Sequence, residues 1–153
     1  MIRTRFEGGQ RLAGVLNGLP ARVNTGVTRE ALRSVAAPPI QRRAAALVRR
    51  APGSPDIADH IVVSTGRGDA TSSAIVVGPS TARRSDQPKR TFAQQGKYLE
   101  FGTAHIPMLA FLRPAFDQEA IQTLKPIGAA IWAALVAKGF VTTRSSGGGG
   151  GLL

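Results

Sequence analysis

The chain has no cysteine. That excludes disulfide bonds, thiolate zinc sites and a cysteine nucleophile. Aromatics are scarce: 5% of 153 residues, with one Trp, one Tyr and six Phe. A core must therefore come mainly from Ala, Val, Leu and Ile. Such a core is thin, and a thin core leans on neighbouring subunits for further burial. Acidic residues are few, with 9 Asp and Glu against 20 Lys and Arg, for a net charge of +11. No apolar run is expected to approach membrane-spanning length. The opening "MIRTRFEGG" lacks the hydrophobic segment of a secretory signal. The expectation is a soluble protein of one-domain size, made in a cytosol, with no membrane partner.

What is abundant is arginine, which supplies sixteen of the twenty basic residues. Arginine meets carboxylates and phosphates through a planar fork. Charge of this sign and size implies an anionic partner, either nucleic acid or an acidic protein surface.

Hydrophobic spacing outlines the elements. Ile2, Thr4 and Phe6 alternate with Arg3 and Arg5, the period of a short strand. Leu12, Val15, Leu16 and Leu19 fall on one helical face, and Pro20 ends it. A second helix is expected from Thr28 as N-cap, interrupted by Pro38-Pro39. Beyond them Ile40, Ala44, Leu47 and Val48 share a face, with Arg42, Arg43, Arg49 and Arg50 on the opposite side. "HIVVST" and "SAIVVGP" are β-branched runs joined by the polar "GRGDATS", a hairpin pattern. "STARRSDQPKRTFAQQGK" shows no periodicity and reads as a long basic connection carrying Arg83, Arg84, Lys89 and Arg90.

A long helix comes next. Leu112, Phe116, Ala120, Leu124, Ile127, Ile131 and Leu135 make its stripe, Pro114 suits its first turn, Pro126 should kink it, and Gly139 stops it. The fold class is α+β: a small antiparallel sheet, two N-terminal helical segments and a long C-terminal helix. Residues 1–140 form one domain, and 141–153 a glycine-rich tail that is flexible by composition.

No catalytic constellation stands out. Asp56 and Asp59 precede His60 without a third ligand at metal spacing, and helix capping is the favoured role for them. His105 sits in a polar loop, and a hydrolase built on His105 and Glu100 has little support. "GRGDAT" lacks the third glycine of a dinucleotide fingerprint and reads as a hairpin loop. No metal or cofactor is expected. The arginine face at 42–50 and the basic connection are candidate contacts to phosphate or to acidic neighbours. Neither is interleaved with aromatics, so any DNA contact would be to the backbone and without sequence preference.

The stretch "YLEFGTAHIPMLAFLRPAF", Tyr98–Phe116, concentrates aromatics, two prolines, a Gly-Thr pair, a carboxylate and a histidine. The pattern Tyr98, Glu100, Phe101, Gly102, Thr103, Pro107, Phe111, Leu112, Arg113, Pro114 and Ala115 resembles the neck or tail-completion proteins of long-tailed, lambda-like bacteriophages and related gene-transfer particles. The helical first half, the Ala51-Pro52 pair and a strand pair ending in "VVGP" are similar too. Where family members carry Thr-Gly-x-Leu after the Ala-Pro, this chain has "GSPDIADHI".

The resemblance implies a structural virion protein, not an enzyme, at the junction of the DNA-filled head and the tail. It implies a homo-oligomeric ring, most often a hexamer, stacked with adaptor, stopper, terminator or tail-tube proteins. Alternatives are a tail-terminator ring or a stand-alone protein that binds the DNA backbone. Within the motif, Gly102 can allow a positive φ or a close backbone approach, and Pro107 stiffens the segment after it. Phe101, Phe111 and Leu112 are expected to face the core. Tyr98, Glu100, Arg113 and Trp132 are the interface candidates, with Arg113 also able to pair with Glu100.

Overall fold

The apolar spacing from Gly9 to Arg50 folds into helices in the computed structural model, which describes residues 9–50, 55–69, 72–83, 85 and 89–141. Helix α1 spans Gly9–Asn17 and α2 spans Ala21–Ala31. A π-helical turn, Leu32–Ala36, leads without a break into α3, Ala37–Arg49. A short α4 (Pro55–Asp59) precedes strands β1 (Ile61–Thr65) and β2 (Ile75–Pro79), and then α5 (Phe92–Phe101) and α6 (Leu112–Ala137). The fold is α+β with a two-stranded antiparallel sheet and a long C-terminal helix. The strand pattern at Ile2–Phe6, the Ala51-Pro52 pair and the glycine-rich tail beyond Val141 lie outside the described residues.

Two helix boundaries differ from the sequence expectation. Helix α2 starts directly after Pro20, whose carbonyl accepts from the Val23 and Asn24 N–H groups. Thr28 is therefore inside the helix, where its hydroxyl donates to Asn24 Oδ1. Pro38 and Pro39 do not interrupt the helical path. The turn before them is widened, so that Ala37 N–H donates to the Leu32 carbonyl five residues back. A π turn moves carbonyls away from the pyrrolidine rings that would collide with them in a regular helix.

The hairpin forms as its pattern predicts, pairing Ile61 with Pro79 and Thr65 with Ile75. Gln41 Nε2 on α3 donates to the Ile61 carbonyl at 2.6 Å, tying the sheet to the helices. The expected long connection is shorter than its composition suggests, because α5 occupies its end. Thr91 and Gln94 start α5 with a reciprocal capping box: the Thr91 hydroxyl accepts from Gln94 N–H, and the Gln94 side chain accepts from Thr91 N–H.

The core is thin and lies in two clusters along α6. Ala44 and Val48 of α3, Ile57, Ala58, Ile61, Phe92, Phe111 and Ala115 form one. Val27 and Ala31 of α2 meet Ile131 and Leu135 in the other, with α1 leucines packed at its edge. Among the described residues the largest fully buried side chains are Phe111, Leu135 and Val48. Helix α6 runs unbroken through Pro126 and ends at Gly139, φ +75°. There Gly139 N–H reaches the Val136 carbonyl and Phe140 N–H the Leu135 carbonyl, a Schellman stop.

The stripe expected along α6 holds at its C-terminal end, at Ile131 and Leu135, and is rotated over its first half. Phe116 is 56% exposed and Leu124 47%, while Ala115, Thr123, Gly128, Ile131 and Leu135 are buried. Phe111 and Ala115 enter the core first, and one residue onward turns the side chain by about 100°, out of it. In its folded form α6 is also long and apolar enough, by length and composition alone, to cross a membrane. That corrects the expectation of no segment of such length. Here it is the helix against which α2, the π turn and α3 pack.

Candidate functional site

The motif stretch is the joint between α5 and α6, and its polar residues act on the backbone. Tyr98 to Phe101 form the last turn of α5. Gly102 then reverses the chain at φ +72° and ψ 171°, a region that only glycine occupies without strain. A Cβ there would also stand 3.0 Å from Met108 N. The Thr103 hydroxyl accepts from His105 and Ile106 N–H, and Thr103 N–H donates to the Ile106 carbonyl. Leu109 N–H donates back to the Leu99 carbonyl at 2.8 Å. Pro107 is exposed along this return, and Pro114 is half-buried in the first turn of α6.

Glu100 completes the joint. The residue that opens α6, Phe111, has no side chain able to cap it. Glu100 reaches across instead: Oε2 accepts from Phe111 N–H at 2.8 Å and Leu112 N–H at 2.9 Å, and Oε1 from Arg113 N–H at 3.3 Å. A carboxylate on the first free N–H groups satisfies orphan donors and sits at the positive end of the helix dipole. The expected Glu100–Arg113 pairing is thus made by the Arg113 backbone. The guanidinium is exposed, beside a groove of about 410 Å³ lined by Ile40, Ile75, Val77, Leu112, Phe116 and Asp117.

The other motif residues divide. Phe111 is fully buried and Leu112 packs on the same cluster, as expected. Phe101 does not face the core: it is 72% exposed. Gly102 turns the chain away immediately after it, so the ring stays on the outer side of the last turn of α5. Tyr98 is exposed and accessible to a partner. Trp132 is half-buried within the chain, with the Arg11 guanidinium 5.3 Å from its ring centroid. That cation–π contact joins α1 to α6 and leaves part of the Trp132 ring exposed.

The basic residues are on the surface. Arg42, Arg43, Arg49 and Arg50 are exposed, as are Arg83, Lys89 and Arg90, whereas Arg84 lies outside the described residues. Two of the α3 arginines are engaged within the chain. Arg49 pairs with Asp59 at 2.6 Å, and Arg43 Nε donates to Gln118 Oε1 at 2.7 Å. Asp59 therefore neutralises an arginine instead of capping a helix, while Asp56 sits in the first turn of α4. His60 stacks on Phe92 with centroids 3.7 Å apart, and its Nδ1–H donates to the Asp56 carbonyl at 2.8 Å. Asp56, Asp59, His60, Arg83 and Ser85 line an open cleft of about 450 Å³. Among the described residues no group of three His, Asp or Glu side chains is placed to hold a metal ion.

Sequence reading missed two parts of this site: α5 and the Glu100 cap. The Thr91-x-x-Gln94 box was a legible signal for the first. The second had no local signal, since carboxylate and N–H groups are 11 to 13 residues apart. Comparisons with protein-family models, with curated proteins and with solved structures find no match to this chain.

Proposed function

We propose that this chain is a structural virion protein of a bacteriophage head–tail junction, a neck or tail-completion component that works as a ring and joins the DNA-filled head to the tail. The observation that carries the reading is the Tyr98–Phe116 motif and its resemblance to that family. Its members support a mechanical role: Glu100, Gly102 and Thr103 all serve the backbone of the α5–α6 joint. The thin core and the exposed apolar side chains suit a chain that completes its burial against neighbours.

On this reading the protein is not a catalyst and takes no cofactor. Its partners are copies of itself, most often six in a ring, and adaptor, stopper, terminator or tail-tube proteins. It is assembled in the bacterial host cytoplasm and resides in the neck of the particle, and α6 serves as a packing spine and not as a membrane span. Symmetry-resolved imaging of the particle neck tests the reading. The expected result is density for this chain in a cyclic ring between head and tail; a neck without it sinks the idea.

A second reading rests on the charge. The exposed Arg42, Arg50, Arg83, Lys89 and Arg90 could hold a DNA backbone. It predicts duplex binding by the isolated chain, with log affinity falling against log salt by about 0.9 per phosphate contacted. Salt-independent binding, or none at low salt, removes it.

A further inference from the structure

The joint carries a fixed apolar protrusion. Phe101 is 72% exposed and Met108 is 68% exposed. They stand together because the Met108 backbone lies against Gly102. The loop between them is pinned by the Thr103 bonds and by Leu109 N–H to the Leu99 carbonyl. A preorganised protrusion loses little freedom on binding, and methionine adapts to the shape it meets. Lys97 precedes Phe101 by four residues on α5, so the two share a face, and Lys97 is exposed.

The same chain carries a matching recess. The groove between α3, the sheet and the start of α6 has apolar walls from Ile40, Ile75, Val77, Leu112 and Phe116, with Arg113 and Asp117 at its rim. Its volume of about 410 Å³ is within the range of sites that seat side chains or small ligands. The recess carries both signs, Arg113 and Asp117, and Asp117 is the one complementary to the Lys97 cation beside the protrusion.

We infer that the Phe101–Met108 protrusion of one copy seats in the Ile40–Phe116 groove of the next, with Lys97 facing Asp117 of that next copy. A contact between two different surfaces repeats head to tail and closes into a ring when the rotation allows. The inference rests on the ring reading above and names the surfaces that would build it.

The test uses the full chain in sedimentation, with helicity read by circular dichroism to confirm folding. Wild type should form an oligomer. Met108→Asp, Phe101→Asp and Phe116→Asp should each lose it while keeping helicity. Lys97→Asp or Asp117→Lys alone should weaken the oligomer, and the two together should restore it, which mere structural damage would not do. Because the chain has no cysteine, a Met108→Cys chain mixed with a Phe116→Cys chain should give a mixed disulfide. An oligomer unaffected by the Asp variants, without the mixed disulfide, overturns this contact and leaves the ring reading standing. A Met108→Cys chain that links to itself overturns head-to-tail packing in favour of a symmetric face. A wild type that sediments only as monomer overturns the contact outright, while the neck assignment is judged separately by particle imaging.

Discussion

Glu100 and the two phenylalanines of the motif show how far residue type alone can mislead. Phe101 and Phe111 look equivalent in "EFGTAHIPMLAF", yet the first is largely in solvent and the second is fully buried. Phe111→Ala removes a buried ring from the larger core cluster and should cost about 3–5 kcal/mol. Phe101→Ala should change the stability of the isolated chain by less than about 0.5 kcal/mol. Urea unfolding of the pair measures both, and equal losses would contradict the placement. Glu100→Gln keeps the shape and loses the charge on three N–H groups. It should lower stability by about 1–2 kcal/mol, or roughly 2–8 °C in Tm for a chain of this size. A Tm unchanged by Glu100→Gln would show that the charge of the cap contributes nothing.

At the scale of elements, prolines behave differently according to what the neighbouring turn can do. Before Pro38-Pro39 the helix widens into a π turn and continues, so an expected break became a continuous path from α2 into α3. Pro126 has no such turn, and it stands exposed in the middle of α6. Its ring removes one helix donor and crowds the Gln122 carbonyl, a cost of up to about 3 kcal/mol. Pro126→Ala should therefore raise the melting temperature, since no buried contact is lost; calorimetry checks the sign. Helix α5 has the opposite history. Its sequence "FAQQGKYLEF" is weakly patterned, but the capping box sets its start and Gly102 its end. Thr91→Ala should lower stability by about 1 kcal/mol through loss of the hydroxyl on Gln94 N–H. Amide exchange protection in residues 92–95 should drop with it.

Across the whole molecule the two clusters lie along one long helix, with modest burial at each. A chain of this kind gains more from a neighbour than one with a large aromatic core. If the ring reading is right, unfolding temperature should rise with protein concentration, because only the assembled state adds burial. A concentration-independent Tm would argue for a self-sufficient monomer. Net charge acts at the same scale. With +11 spread over an exposed arginine surface, self-association should strengthen as salt screens repulsion, the reverse of the trend expected for DNA binding. The sign of the salt response thus separates the two partners.

Periodicity is local, and much of it was legible: the β-branched hairpin, the apolar face of α3 and the length of α6 follow from spacing within a few residues. The type of fold, the scarcity of large buried side chains and the Gly102 reversal follow from residue identity in the same way. What the tertiary structure decided were choices between equivalents at a distance. Which phenylalanine is buried depends on where α5 ends relative to the core. Which carboxylate caps α6 depends on a loop folding back over 11 residues. Which side of α6 is covered depends on the first residue to enter the core, because a rotation of about 100° per residue turns a one-residue difference into a different face. For the stretch from Tyr98 to Phe116, the sequence showed a Gly-Thr pair and two prolines leading into a long helix, and only the folded chain showed that its carboxylate holds the helix while Phe101 and Met108 face outward.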